Sequence, residues 1–132
     1  MADASDIHGV VFKNGSATLL ARVVGDDASP VTQVQLASAA YTVYLLDEND
    51  PDSGTAVSGH TDVAVDVASL VYDALQTDAI WDVDQRGYNF KHVLDVSAAQ
   101  AFSTAGRTYR VVFRLVPTSG QAILVRFRVH AI

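Results

Sequence analysis

The densest group of possible metal ligands lies at residues 47–54, where Asp47, Glu48, Asp50 and Asp52 follow one another closely. Calcium binds about six to eight oxygen atoms, and loop carboxylates at alternate positions can supply them. After Asp50 and Asp52, however, the segment lacks the glutamate that closes an EF-hand loop. A solvated loop rich in turn-forming residues explains the same composition. Both interpretations stay open, and the solvated loop is the preferred one.

The histidines give a second set of candidate ligands: His8, His60, His92 and His130. No two of them have the short spacing that is typical of a zinc site. His92 alternates in phase with Phe90 and Leu94, so we expect it to point into the core. A histidine in that position is more often hydrogen-bonded in the core than catalytic.

Enzymatic chemistry has little support in the residue pattern. The chain has no cysteine, which excludes disulfides and thiolate metal sites, and it has no Gly-x-Ser-x-Gly motif or phosphate-binding loop. A glycosidase needs two facing carboxylates, and the many aspartates single out no pair. We therefore predict a protein that is not an enzyme and that carries no cofactor.

The most informative stretch is residues 107–132, which alternate between apolar and other side chains on both sides of a turn at residues 117–120. A period of two is typical of a β-hairpin with one buried face. The side chains predicted to share the buried face are Tyr109, Val111, Phe113, Leu115, Ile123, Val125, Phe127 and Val129. We expect a three-residue loop, Thr118 to Gly120, with Gly120 left-handed.

This register places arginines on the other face of the hairpin. Arg110 then lies directly opposite Arg128, and like charges that face each other across a strand pair are destabilising. Carboxylates above the face would relieve the repulsion, and they could come from the chain's own acidic middle or from a neighbouring subunit. We predict that part of this face is a subunit interface, with the residues Arg110, Val112, Arg114, Leu124, Arg126 and Arg128.

The charge distribution bears on the choice of partner. The net charge is −6, which argues against nucleic acid as the ligand. Five of the nine basic residues lie within residues 107–132, whereas ten of the fifteen acidic residues lie between Asp47 and Asp84. A domain with one acidic end and one basic face can bind copies of itself or a complementary neighbour.

The chain shows no apolar run long enough to cross a bilayer, so we predict no membrane partner. Residues 1–6 are acidic and polar, unlike a secretory signal. We therefore expect a protein that is made in the cytoplasm of its host cell.

The remaining elements follow from alternation and turn signals over a single domain, residues 1–132. Besides the hairpin, strands are predicted at residues 7–12, 17–24, 40–46, 60–67 and 88–96. After Asp66, which can cap a helix, Val67, Leu70, Val71, Ala74 and Leu75 recur at helical spacing. They predict a short helix of two or three turns near residues 67–76.

Seven short strands joined mostly by turns predict an all-β fold, an immunoglobulin-like antiparallel β-sandwich. Tyr109 follows Gly106 at the start of the penultimate strand, where such sandwiches often have a tyrosine that bonds to backbone a few residues upstream. Because the cysteine pair and the tryptophan of strand C are absent, an antibody-type domain is excluded.

Three motifs carry a resemblance to a known class of proteins. They are Phe90-x-His-x-Leu-x-Val96, then Phe102-x3-Gly106-x2-Tyr-Arg-Val-Val-Phe113, then Gly120 followed by Val125-Arg-Phe-Arg-Val129. This arrangement resembles small β-sandwich domains of tailed-phage tail, baseplate and capsid-decoration proteins. The resemblance covers about the last 45 residues and implies a structural role in a virion, with the protein itself or other virion proteins as partners. It implies no functional residues.

A carbohydrate- or host-surface-binding module is the second function predicted. Exposed rings can form a platform for sugars, and the candidates are Trp81, Tyr88, Tyr72, Tyr41 and Tyr44, with Asp82 and Asp84 nearby for hydroxyl contacts. Alternatively, Trp81 plugs one end of the sandwich. Exposure of Trp81 beside Tyr88 in a flat patch would favour sugar binding.

Overall fold

The computed structural model describes residues 6–25, 29–50, 53–81, 85–97 and 99–132. Asp26, Asp27, Asp52, Asp82 and Asp84 lie outside the described residues, and so does part of the candidate calcium loop.

The described residues are mainly strands. The strands are β1 (Asp6–Val11), β2 (Thr18–Ala21), β3 (Leu36–Leu46), β4 (Gly54–Ala56), β5 (Val63–Val65), β6 (Val71–Gln76), β7 (Tyr88–Val93), β8 (Thr108–Pro117) and β9 (Ile123–Ala131). One helical turn, α1 (Val67–Leu70), precedes β6, and a 3-10 turn (Gln33–Gln35) precedes β3.

These strands form two sheets that pack face to face. The large sheet has the order β1-β9-β8-β3-β4, with β5 also paired to β3, and the small sheet has the order β2-β7-β6. This is the strand arrangement of an immunoglobulin-like sandwich, so the predicted fold class is confirmed. One pair departs from the antiparallel pattern, because β1 runs parallel to β9. Two strands joined by a hairpin must be antiparallel. Because β1 and β9 are not joined by a hairpin, they can pair in parallel.

The β8–β9 hairpin has the predicted register. Tyr109 pairs with Val129, Val111 with Phe127, Phe113 with Val125 and Leu115 with Ile123. In the turn, Gly120 has φ +98°, the left-handed conformation predicted for it. The connection between β8 and β9 spans residues 118–122 and is therefore longer than the predicted three-residue loop. The apolar partners of each pair therefore meet on the core side of the large sheet.

The centre of the core is a group of three phenylalanines from both sheets. The ring centroids of Phe90 and Phe113 are 4.8 Å apart, edge to face, and Phe127 lies 5.8 Å from each of them. Phe90 and Phe113 have no exposed surface and Phe127 is 2% exposed. Because Phe90 belongs to the small sheet and the other two to the large sheet, this group holds the sandwich together.

Tyr109 forms the predicted corner. Its hydroxyl oxygen accepts a hydrogen bond from the backbone N–H of Thr104 at 3.0 Å, and its ring packs edge to face on Phe102 at 5.3 Å. The bond fixes the chain where it enters β8 from the connection that follows β7.

The prediction for residues 67–76 was wrong in extent. Asp66 does cap a helix, since its carboxylate accepts from the Ala68 N–H at 3.1 Å, but α1 ends at Leu70. Residues 71–76 form β6, whose Val71 pairs with Phe90 of β7. Leu70 and Val71 are both buried although they are adjacent, which a turn followed by a strand allows.

Other strand boundaries also differ from the prediction. The predicted strand at residues 60–67 shortens to β5, and β4 forms at the end of the segment predicted as a loop. The strand predicted at residues 40–46 begins earlier, at Leu36, while those predicted at residues 17–24 and 88–96 end earlier, at Ala21 and Val93.

Two histidines pack against Tyr41. His60, 2% exposed, has Nδ1 2.8 Å from the Tyr41 hydroxyl and Nε2 2.8 Å from the Ala99 carbonyl oxygen. Since that carbonyl only accepts, Nε2 carries the proton and donates. His92 points inward as predicted, with its ring centroid 5.3 Å from both Tyr41 and Phe113. Both histidines are thus built into the core.

We predict that the Phe113→Ala substitution lowers the free energy of unfolding by about 3–5 kcal/mol, the usual cost for a buried phenylalanine. Denaturant melts measure this loss. The control is Val34→Ala, since Val34 is 84% exposed. A loss below about 1 kcal/mol for Phe113→Ala contradicts its central position in the core.

Acidification should destabilise the fold through His92. Burial lowers the pKa of His92, so the folded protein binds its proton less readily than the unfolded chain does. The stability that comes from the neutral form of His92 is fully present above the unfolded pKa of about 6.5. It is lost as the pH falls from there toward the folded pKa. The rings next to His92 are Tyr41 and Phe113, and His60 in turn contacts Tyr41. Hydrogen bonds from Ser97 lower the pKa of the exposed Asp95, so this carboxylate titrates at a more acidic pH than His92 does.

We therefore expect urea melts of His92→Gln to show a smaller fall in unfolding free energy than the wild type between about pH 7.5 and 5. The variant Val34→Ala, at an exposed residue that does not titrate, should keep the wild-type dependence. Equal pH dependence in the wild type and His92→Gln would contradict the assignment.

Candidate assembly interface on the large sheet

The outer face of the β8–β9 hairpin brings all six predicted interface residues together. Arg110 pairs with Arg128, Val112 with Arg126, and Arg114 with Leu124. Arg114 and Leu124 are exposed, and the other four are half-buried. We call this surface, with the residues Arg110, Val112, Arg114, Leu124, Arg126 and Arg128, the arginine face.

Strands on both sides extend the arginine face. Tyr44 of β3 pairs with Arg110, and His8 of β1 pairs with Arg128. A row that runs His8, Arg128, Arg110, Tyr44 therefore crosses four strands. The sequence analysis missed His8 and Tyr44 as members of this surface, because only the long-range pairing of β1 and β3 places them there.

A groove of about 360 Å³ runs along one part of this face. It is lined by Tyr44, Leu46, Gly54, Arg110, Val112, Leu124 and Arg126. Gly54 lies at a close approach, since a Cβ there would come within 3.1 Å of Tyr44 Cβ and 3.3 Å of Leu46 Cδ2. The groove is thus lined by both apolar side chains and arginines. The stem of an arginine can cover apolar surface while its charged end reaches solvent.

At its end, the arginine face meets the acidic segment after β3. Arg107 Nη2 donates to the Leu46 carbonyl oxygen at 2.9 Å, and Arg107 Nε lies 3.3 Å from Glu48 Oε1. A cleft of about 280 Å³ lies here, and its lining includes Arg128. The chain's own acidic middle therefore supplies a carboxylate to this end. Because the Glu48 side chain is 70% exposed, the pair contributes only about 0–1 kcal/mol.

The candidate calcium loop forms a turn in its described part. The Asp47 carboxylate accepts from the Asn49 N–H at 2.8 Å, and the Asp47 N–H donates to the Ser53 carbonyl at 2.9 Å. Among the described residues, no group of three or more histidine, aspartate or glutamate side chains is placed to hold a metal ion. The described part of the loop is thus a hydrogen-bonded turn.

Three of the five candidate sugar-binding rings, Tyr72, Trp81 and Tyr88, pack on one another. Tyr88 is 2% exposed, and its hydroxyl donates to the Asp78 carboxylate at 2.8 Å. Burial, together with this bond, raises the pKa of Tyr88 to about 12. Trp81 is half-buried against Tyr88 at 5.6 Å between centroids, and Tyr72 meets Tyr88 edge to face at 5.9 Å. Because Tyr88 is buried, these three rings do not form a flat, exposed platform with it. Tyr41 is also buried, in the core.

In the part of the chain that the structure describes, no helix is both long and apolar enough to cross a membrane.

Comparison with known proteins gives no relative on which to base a function. No family model, no curated protein and no solved structure matches the chain. The resemblance to tailed-phage domains therefore remains a prediction, and the function has to be argued from the surface geometry.

Proposed function

We propose that this protein is a non-enzymatic structural subunit, a component of a phage-like particle, and that it acts through protein–protein contacts of the arginine face. The observation that carries the proposal is the groove on this face, where Arg110 and Arg126 lie beside Val112 and Leu124. Capsid decoration and a tail or baseplate position are both compatible with such a role.

The composition of the groove suits a protein partner. Arginine and aromatic residues are enriched in protein interfaces, and the residues that contribute most binding energy are often Trp, Tyr and Arg. The groove has two arginines, Tyr44 at its wall and an exposed Leu124, which is 46% exposed. Removal of Leu124 and Val112 from water would favour association, and the guanidinium groups would orient the partner.

The charge pattern also favours an acidic protein surface as partner. Arg110 and Arg128 are paired directly across two strands, an arrangement that costs stability unless negative charge lies nearby. Glu48 supplies negative charge at Arg107, at one end of the face. Carboxylates of a partner placed over the groove would add favourable contacts with Arg110 and Arg126.

The place in a phage-like particle rests on the sequence resemblance together with the fold. The residues of the three motifs supply the phenylalanine core and the Tyr109 corner of an immunoglobulin-like sandwich. This is the fold that the resemblance implies. Because a sandwich supports many functions, the partner has to be found by experiment.

We expect the double variant Arg126→Glu with Arg128→Glu to stay folded and to dissociate the assembly. It reverses charge on the outer face without touching the core side of β9. Light scattering coupled to size exclusion measures the mass, and far-UV circular dichroism checks the fold.

The matched control is Lys13→Glu with Lys91→Glu, which changes the net charge equally but away from the arginine face. It should keep the wild-type mass. A double arginine variant that also keeps this mass would place the arginines in an internal salt-bridge network and the interface elsewhere. A wild-type protein that is monomeric at its highest soluble concentration contradicts self-assembly.

A further inference from the structure

Strand β1 stands at one end of the large sheet, and no other strand of the described residues pairs with its outer edge. The stretch from Ile7 to Phe12 contains no proline, lysine, arginine or acidic residue. Its apolar side chains are open to solvent, since Ile7 is 40%, Val10 67% and Phe12 74% exposed. A long, apolar edge strand of this kind is a template on which another strand can pair.

The other edge strands are protected. β2 has four residues and β4 has three. β6 pairs irregularly with β7 and carries Asp73, and the Gln33 side chain of the 3-10 turn donates to the Val71 carbonyl oxygen at 2.8 Å. Short strands, irregular pairing, charges and covering loops are the usual protection of sheet edges. β1 is therefore the edge that is most open to another strand.

Hydrogen bonds determine which backbone groups of β1 point outward. The Ile132 N–H donates to the Val11 carbonyl oxygen at 2.9 Å, and the Lys13 N–H donates to the Ile132 carbonyl oxygen at 2.8 Å. The backbone groups of residues 11 and 13 thus face β9. Because alternate residues of a strand direct their backbone groups to opposite sides, those of His8 and Val10 point away from β9.

Gly9, between these two residues, is not required by the fold of its own copy. It has no positive φ, and no atom lies within 4 Å of the position that a Cβ would take there. A glycine weakens a strand, and in a strand interior it often marks the close approach of another backbone. The described residues place no such backbone at Gly9.

We infer that β1 of one copy pairs antiparallel with β1 of a second copy, about a two-fold axis between their Gly9 residues. His8 of each copy then faces Val10 of the other, and each such pair exchanges two backbone hydrogen bonds. The two Gly9 residues meet at the non-hydrogen-bonded position between these pairs, with about 4.5 Å between their Cα atoms. The inference goes beyond the proposed function, because it concerns a surface other than the arginine face.

A second copy fits this edge without breaking a bond that the chain already makes. The Phe12 carbonyl oxygen points outward and accepts from the Gly15 N–H at 2.8 Å. A pairing centred on Val10 would place the His8 N–H of the other copy opposite this occupied carbonyl, whereas the pairing centred on Gly9 leaves it undisturbed. A two-fold contact also uses the same edge of both copies, so it is closed and leaves no β1 edge open.

The contact also keeps like charges apart. Arg128 lies on β9, next to β1, so two copies of β1 separate it from Arg128 of the second copy. Three strand spacings amount to about 14 Å, beyond the roughly 8 Å over which charges are screened at physiological ionic strength. Because the two-fold axis is perpendicular to the sheet, both arginine faces lie on the same side of one continuous sheet.

A disulfide cross-link tests the pairing directly, because the chain has no cysteine of its own. In Gly9→Cys the two sulfur-bearing residues have Cα atoms about 4.5 Å apart, within the range of a disulfide. The new side chain has room, since nothing lies within 4 Å of its Cβ. With the thiol oxidant diamide, we expect a covalent dimer in non-reducing electrophoresis.

The matched control is Ile7→Cys, on the same strand and also exposed. In the inferred register Ile7 faces Val11 of the other copy, so two cysteines at residue 7 lie roughly 13 Å apart along the strands. This separation is too long for a disulfide. We therefore expect Ile7→Cys to stay monomeric in the same gel.

Light scattering separates this contact from the arginine face. We expect the arginine-face variant, Arg126→Glu with Arg128→Glu, to have the mass of two chains, and addition of Val10→Pro to halve that mass. Proline removes the outward N–H of Val10, which does not bond to β9, and proline is tolerated at such positions of edge strands. Val10→Thr keeps this N–H and should keep the mass of two chains.

Three results would overturn the inference. Equal cross-linking of Gly9→Cys and Ile7→Cys shows random collision. An arginine-face variant that is monomeric, while the wild type assembles, confirms the arginine contact, rejects a second copy at β1 and leaves this edge to a strand of another protein. An unchanged mass after Val10→Pro, with the wild-type circular dichroism spectrum, rejects β1 as the contact.

Failure of the proposed function gives a different result. If the wild type and the arginine-face variant both have the mass of two chains, and Gly9→Cys cross-links selectively, the contact between the β1 strands stands. Self-assembly through the arginine face is then rejected.

Discussion

The register of the β8–β9 hairpin is the constraint on which the rest of the structure depends. Alternate residues of a strand point to opposite faces, so a slip by one residue exchanges the faces. Such a slip would turn Phe113 and Phe127 to solvent and direct arginines into the core, where an unpaired charge is very costly. The observed register avoids this cost. The same register forces Arg110 and Arg128 into opposite positions on the outer face, so the buried core and the arginine face have one cause.

The small sheet depends on a buried polar residue that compensates for missing strand pairs. Asn89 has no exposed surface, and its side-chain oxygen accepts from the Val23 N–H at 2.7 Å. Its amide nitrogen donates to the carbonyl oxygens of Val23 and Val31 at 2.9 and 3.1 Å. A buried amide is tolerated because these bonds satisfy it. They tie the chain after β2, and the chain before the 3-10 turn, to the strand that carries Phe90.

The sequence was sufficient to predict elements whose signal is local. The hairpin follows from strict alternation on both sides of a turn, so its register and the six residues of its outer face could be derived together. The Tyr109 corner could also be predicted, because the gap between Gly106 and Tyr109 fits a known local geometry.

Features that depend on distant partners could not be derived in the same way. Leu70 and Val71 fit helical spacing, but Val71 is buried because it pairs with Phe90 on another strand. The parallel pairing of β1 brings His8 beside Arg128, and the pairing of β3 brings Tyr44 beside Arg110. His60 is the more buried of the two histidines, and its hydrogen bond to the carbonyl oxygen of Ala99, far along the chain, satisfies its buried ring nitrogen. In each case the position of the residue depends on contacts between segments that are far apart in the sequence.

The position of the arginine face on the large sheet determines what a contact there would cost. Glu48 lies against Arg107 at the end of the face, but its side chain is 70% exposed, so this pair adds little to stability. The row from His8 through Arg128 and Arg110 to Tyr44 lies on four paired strands. Because the strands hold this backbone in place, little conformational entropy would be lost if a partner bound here. Burial of Val112 and Leu124 would provide apolar area at such a contact, while the charges of the arginines would favour an acidic partner and one orientation of it.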